Sequence, residues 1–220
     1  MNLKTNLKKK FIYPLIAKEG WSVLIITFIV SILMSVYYPS VSIIFWVIAL
    51  FILQFFRDPP RNTPSGDNIV VSAADGRVIA IEKIIDPYQN KKAIKVSVFK
   101  NVFNVHSNKA PVTGIIMNKW YFPGKFLNAA LSKASLENER CAITIKTKGK
   151  HIITCVQIAG LIARRILCYR DKGDNLSAGE RYGFIKFGSR VDLYLPLNAK
   201  IKVEIGQSVK NSKSIIAELS

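Results

Sequence analysis

Three features of the sequence predict a mainly β fold with few helices, set behind an N-terminal hydrophobic helical hairpin. No charged residue occurs from Trp21 to Phe56. Beyond Gly66 come short runs rich in β-branched residues, separated by turn formers. Within that region only Asn128 to Asn138 has the Ala, Leu, Lys and Glu content of a helix.

The uncharged stretch divides at Tyr37-Tyr38-Pro39-Ser40 into Trp21–Val36 and Val41–Phe56, each near the lower limit for crossing a bilayer. Aromatics gather at the ends and in the turn, as a membrane interface favours. Lys4, Lys8, Lys9, Lys10 and Lys18 precede the pair, and Arg57 and Arg61 follow it. Positive charge on both outer flanks assigns both ends, and with them the following domain, to the cytoplasmic face of the cell membrane. A buried helical pair in a soluble core is the competing reading. A cleaved signal peptide fits poorly, because the apolar region is too long.

Arg57–Gly66 is Pro-rich and ends the helical region. The strand-like runs that follow are Ile69–Ser72, Arg77–Ile81, Ala93–Val98, Gly114–Trp120, Ala142–Thr147, Ile152–Ile158, Leu161–Tyr169, Tyr182–Phe187 and Val191–Leu195. Asn198–Ala217 has the strand–Gly–turn–strand rhythm of biotinyl- or lipoyl-type domains, so a β-rich barrel or sandwich resembling the barrel-sandwich hybrids is expected. The resulting division is 1–56 for the basic N-terminus and hairpin, 57–68 for a linker, and 69–220 for a catalytic-sized domain.

Lys plus Arg total 32 against 14 Asp plus Glu, a net charge of +18 that favours an anionic partner. With no helix-turn-helix, RNP or zinc pattern, nucleic acid loses to anionic membrane lipid. Cys141, Cys155 and Cys168 form no CxxC and sit in apolar runs as small core residues. No metal-site spacing is present, and phosphate-cradling glycine loops are absent.

Four residues carry the candidate chemistry. In Gly188-Ser189 a hydroxyl follows a glycine whose carbonyl is unhindered, so serine can attack its own preceding peptide bond; an ordinary strand junction is the bland alternative. A serine hydroxyl needs a base, and the chain has two histidines, His106 and His151. His151 begins a strand after a Lys-Gly-Lys turn, whereas His106 lies among Asn and Ser before a Pro turn. Asp75, in Ala73-Ala74-Asp75-Gly76, is either a turn residue or the carboxylate that orients His106.

Six ordered segments are similar to the phosphatidylserine decarboxylase family, in its short bacterial and archaeal-type branch. They are Ser72–Val78, Val102–Gly114, Tyr121–Ala130, Leu136–Arg140, Val156–Ile166 and Gly179–Ser189. The resemblance implies a self-processing proenzyme in which the Ser189 hydroxyl attacks the Gly188 carbonyl. The ester then breaks by β-elimination and Ser189 becomes a pyruvoyl group. It implies a large β chain, 1–188, associated with a small α chain of 32 residues, 189–220. It also implies decarboxylation of phosphatidylserine to phosphatidylethanolamine through a Schiff base on the pyruvoyl ketone, with Asp75 and His106 activating Ser189. Longer members carry His-x-x-His where this chain has His106 and Lys109, so His106 is expected to serve both steps, with Lys109 or a water as the other possible helper. Arg140, Arg164, Arg165 and Arg190 are the candidate head-group cations. The reading from a different class is a non-catalytic, membrane-anchored adaptor or carrier of the biotinyl/lipoyl type.

Overall fold

The computed structural model describes residues 13–131, 134–161, 165–186 and 189–220. A single 3-10 turn at Lys18–Gly20 leads into α1 (Trp21–Tyr37), followed by α2 (Pro39–Phe55). The break is tighter than the expected four-residue turn. Tyr38 alone leaves the helical region, and Pro39 starts α2 at the position where its missing N–H costs nothing.

The two helices pack through small residues, with Ser31, Ser42 and Ala49 buried. Phe28 meets Trp46 edge-on at 5.3 Å, and Trp46 Nε1 donates to Ser35 Oγ at 3.1 Å. Large apolar side chains, among them Ile25, Ile29, Ile43, Val47 and Leu50, point outward and are exposed. Small residues inside and large ones outside suit lipid rather than water, which removes the soluble-core reading. Lys18–Tyr37 spans 20 residues and is long and apolar enough to cross a membrane; α2 is shorter.

The remaining elements are β1 (Ile69–Val71), β2 (Gly76–Asp86), β3 (Lys91–Lys100), β4 (Ser107–Lys109) and β5 (Gly114–Phe122), then the single helical turn α3 (Ala134–Glu137). They continue with β6 (Arg140–Lys146), β7 (Ile152–Ala159), β8 (Ile166–Cys168), β9 (Asn175–Leu176), β10 (Arg181–Ile185) and β11 (Ser189–Pro196). Three short strands close the chain, β12 (Lys200–Ile201), β13 (Ser208–Val209) and β14 (Ile215–Glu218). Eight strands form one curled, half-barrel sheet in the order β13-β2-β3-β11-β7-β6-β5-β9. Two three-stranded sheets, β4-β10-β8 and β1-β14-β12, complete the fold. The expected β-rich architecture is therefore present.

The helix expected over Asn128–Asn138 is a correction, since among the described residues of that stretch only Ala134–Glu137 is helical. Local hydrogen bonding competes with the helix. Asn128 Oδ1 accepts the Ala130 N–H at 3.0 Å, and Asn138 ties Leu127 down through both its side-chain oxygen and its nitrogen.

Strand alternation sets up the site. On β3, Ile94, Val96 and Val98 face the main core; on β11, their cross-strand partners Leu195, Leu193 and Val191 do the same. Continuing that stripe by one more pair reaches Lys100 and Ser189. The apolar core thus ends in a buried lysine opposite a buried serine.

Candidate active site

Ser189 opens β11 where the chain passes from the small β4-β10-β8 sheet to the large one. Gly188 and Phe187 lie outside the described residues, so only the serine half of the expected cleavage pair has a described position. Ser189 is fully buried, between Lys100 of β3 and Ala159 of β7, and its Oγ has no hydrogen-bond partner among the described residues. A buried hydroxyl without a partner is uncommon and costs free energy unless it is kept for a purpose.

Lys100 is fully buried as well. Its Nζ donates to the His106 carbonyl at 3.2 Å and to Asn108 Oδ1. Asn108 Nδ2 in turn donates to Gln157 Oε1 at 2.7 Å. Gln157 reaches across because residue 183 is glycine, where a Cβ would stand 2.4 Å from Gln157 Oε1. Burial, opposed by the charges of Asp75 and Cys155, lowers the Lys100 pKa to about 7.

His106 sits just ahead of β4, fully buried, with its ring centroid 3.9 Å from that of Phe55 at the end of α2. Gln54 and Arg57 hold the helix end to this segment by donating to the Phe103 carbonyl at 2.9 and 2.8 Å. Neither ring nitrogen of His106 makes a hydrogen bond of good geometry among the described residues. Burial first, then the nearby charge of Lys100, pushes its pKa down to about 2, so the ring is neutral.

Asp75 is buried but does not reach the His106 ring. Both its oxygens face the Arg61 guanidinium, and Oδ1 also accepts the Asn211 N–H at 2.8 Å. Asn211 continues to the Ser107 carbonyl at 3.2 Å, so the link from Asp75 toward His106 runs through Arg61 and Asn211 rather than through a direct bond. The turn that presents Asp75 requires Gly76, whose φ is +153° and where a Cβ would lie 2.0 Å from the Phe99 carbonyl oxygen.

Lys109, at the second position of the histidine motif, pairs with buried Asp58 at 3.1 Å, and Asp58 also accepts from Ser107 Oγ at 2.8 Å. Arg181 stands 3.6 Å from the same carboxylate. Arg190 is buried and braces the Ala129 and Leu131 carbonyls at 3.1 and 3.0 Å, while Arg140 lies over the Phe122 ring. Arg165 is exposed, and Arg164 lies outside the described residues. His151 stays near the surface at the start of β7.

Sequence reasoning missed Lys100, Asn108, Gln157, Arg61 and Asn211. For Lys100 a signal existed: in Ile94, Val96, Val98, Lys100 the charge falls in phase with the apolar positions of β3. Asp58 and Arg61 were hidden because a Pro-rich segment reads as a linker.

The sequence model of the phosphatidylserine decarboxylase family matches residues 48–217. A phosphatidylserine decarboxylase proenzyme of Nitrosomonas europaea is 55% identical over 207 residues, covering 94% of this chain and 96% of the relative. One of Cupriavidus taiwanensis is 54% identical over 211 residues, covering 94% and 97%. With a buried serine at the sheet junction and relatives this similar across nearly the whole length, the chain belongs to the phosphatidylserine decarboxylase family.

Proposed function

We propose that this chain is a membrane-associated proenzyme that cleaves itself between Gly188 and Ser189 and then decarboxylates phosphatidylserine to phosphatidylethanolamine. The observation that carries the reading is Ser189 Oγ, buried and without a hydrogen-bond partner among the described residues, at the start of β11 in a family member. Nothing observed favours the non-catalytic adaptor.

Ser189 fits the role of precursor to a pyruvoyl group: its side chain is shielded from water and borders Lys100, whose amine bonds the His106 carbonyl. That group supplies a carbonyl that condenses with the substrate amine and takes up electrons as carbon dioxide leaves. The neutral His106 ring can hold a proton near this end of the core, while Phe55 packs against its face. Asp75 acts on the site at a distance, through the Asn211 contact to the backbone of Ser107.

The two expected products, 1–188 and 189–220, would stay joined after cleavage. β11 is paired on both sides, with β3 and β7; β13 pairs with β2, and β14 with β1. Exposed apolar side chains near the hairpin end, including Leu15 and Phe103, together with the +18 charge, suit a domain held against anionic lipid on the cytoplasmic side.

Intact-mass measurement on the purified protein tests this. Wild type should give a 32-residue fragment with a pyruvoyl terminus and release carbon dioxide from phosphatidylserine in mixed micelles. Ser189→Ala should remain one chain of 220 residues with no activity. An uncleaved wild-type chain with unmodified Ser189 would overturn the reading.

A further inference from the structure

The geometry points to Lys100 as the group that takes the proton from Ser189 Oγ during self-cleavage, an assignment that rests on the reading of Ser189 above. Lys100 and Ser189 are direct partners in the antiparallel β3–β11 pair, and both continue the core-facing stripe. Side chains so paired share a face, with Cβ atoms about 4.5–5.5 Å apart. A lysine therefore stands beside the serine as its neighbour across the strand.

The hydrogen bonds of Lys100 suit its neutral form, the form that can act as a base. Its two acceptors, the His106 carbonyl and Asn108 Oδ1, are both uncharged, and no carboxylate pairs with it among the described residues. A neutral amine has two N–H donors and one lone pair, whereas an ammonium has three donors. Two donors meet two acceptors, which leaves the lone pair. Ser189 Oγ is the neighbouring hydroxyl, and it has no hydrogen-bond partner among the described residues. Each group supplies what the other is missing.

The surrounding charges agree. Facing this amine are Cys155 and Gln157 from β7, His106 and Asn108 from the segment around β4, and Asp75 from the turn before β2. Burial outweighs the two groups that favour the ammonium, Asp75 and Cys155, and brings Lys100 to about 7. A base works best when its pKa is near the working pH. His106, held at about 2, is a far weaker proton acceptor than the amine beside it.

The step balances without any further reagent. The Lys100 lone pair takes the hydroxyl proton as Ser189 Oγ bonds to the Gly188 carbonyl carbon. The resulting tetrahedral centre expels the Ser189 nitrogen, which takes the proton back from the Lys100 ammonium, leaving an ester and a free amine. In the following elimination the Lys100 amine, free again, takes the Ser189 Cα proton as the Cβ–O bond breaks, releasing the Gly188 carboxylate and a dehydroalanine. Water then converts that group to the pyruvoyl terminus and ammonia.

The test follows the first-order appearance of the 189–220 fragment from pulse-labelled full-length chain made with lipid present, across the neutral pH range. In the wild type the rate should rise about tenfold per pH unit below about 7 and level off above it. Lys100→Met, checked to match Ser189→Ala in protease resistance, should process about 10²–10⁴-fold more slowly and lose the inflection. Lys100→Arg, which keeps the charge but not the acidity, should fail likewise. Added methylamine should restore cleavage of Lys100→Ala in proportion to its free-base concentration. If Lys100→Met cleaves at the wild-type rate with an unchanged profile while Ser189→Ala does not cleave, the assignment to Lys100 falls and the reading of Ser189 stands. If Ser189→Ala also yields the fragment, that reading falls instead.

Discussion

Asp58 and Asp75 spend their carboxylates on cations and hydrogen-bond donors, whereas Ser189, His106 and Gln157 keep buried polar atoms without hydrogen-bond partners among the described residues. Both groups of residues are buried, and both are tied to β4 through Ser107, Asn108 and Lys109. The difference lies in saturation. Paired charges hold one arrangement and resist change, because removing either partner strands the other in a poor dielectric. Open valences cost stability but leave protons able to move. The lesson is that charge alone does not mark the reactive part of this core. Asp75 is the most conspicuous carboxylate in the sequence, yet its oxygens are already engaged; the uncharged Ser189 and Lys100, brought down to about 7, are the groups with something left to give.

The sharpest way to break the comparison is at the saturated cluster. Asp58→Ala leaves Lys109 and Arg181 buried without their shared carboxylate and should cost about 3–5 kcal/mol in urea unfolding of the micelle-bound protein. Whatever fraction folds should still process Ser189, because Asp58 does not touch it. A smaller loss is expected from Gly183→Ala, whose Cβ would push into Gln157. That overpacking should cost roughly 1–3 kcal/mol and slow processing as well, since Gln157 steadies Asn108 and thereby Lys100.

His106→Phe probes the unsaturated side through pH. The folded ring holds its proton only near pH 2, well below the ordinary histidine value, so the unfolded chain binds the proton first as pH falls. Stability tied to His106 is therefore complete above about pH 6.5 and drains away as pH falls toward 2. Unfolding measured at about pH 7 and about pH 5 should show a drop in the wild type that His106→Phe reduces. Lys100 adds only a little to that drop, because its folded amine completes its protonation just below about 7 while the unfolded one is already protonated. The smallest change is at the rim. Phe103→Ser should leave stability within about 0.5 kcal/mol but weaken binding to anionic vesicles, measured by co-sedimentation.

Much of the architecture was legible before any coordinates. Uncharged length predicts the hairpin, and β-branched runs between turns predict the strands, because helix and strand periods are local consequences of how side chains point. The helix over Asn128–Asn138 failed for an equally local reason, since asparagine side chains there bind the backbone that a helix would need. Arg57–Gly66 was read as a linker because proline speaks only about backbone; that Asp58 and Arg61 plunge into the fold depends on partners about 50 and 150 residues away.

Residue types at short spacing were enough for the apolar helical hairpin, the β-rich class and the family. Tertiary structure alone decided who stands beside Ser189. Antiparallel pairing across 89 positions sets Lys100 opposite it, and the folding of β4 brings His106 and Asn108 to the same amine. Such pairings depend on strand register and burial, and both come into being only when the sheets assemble.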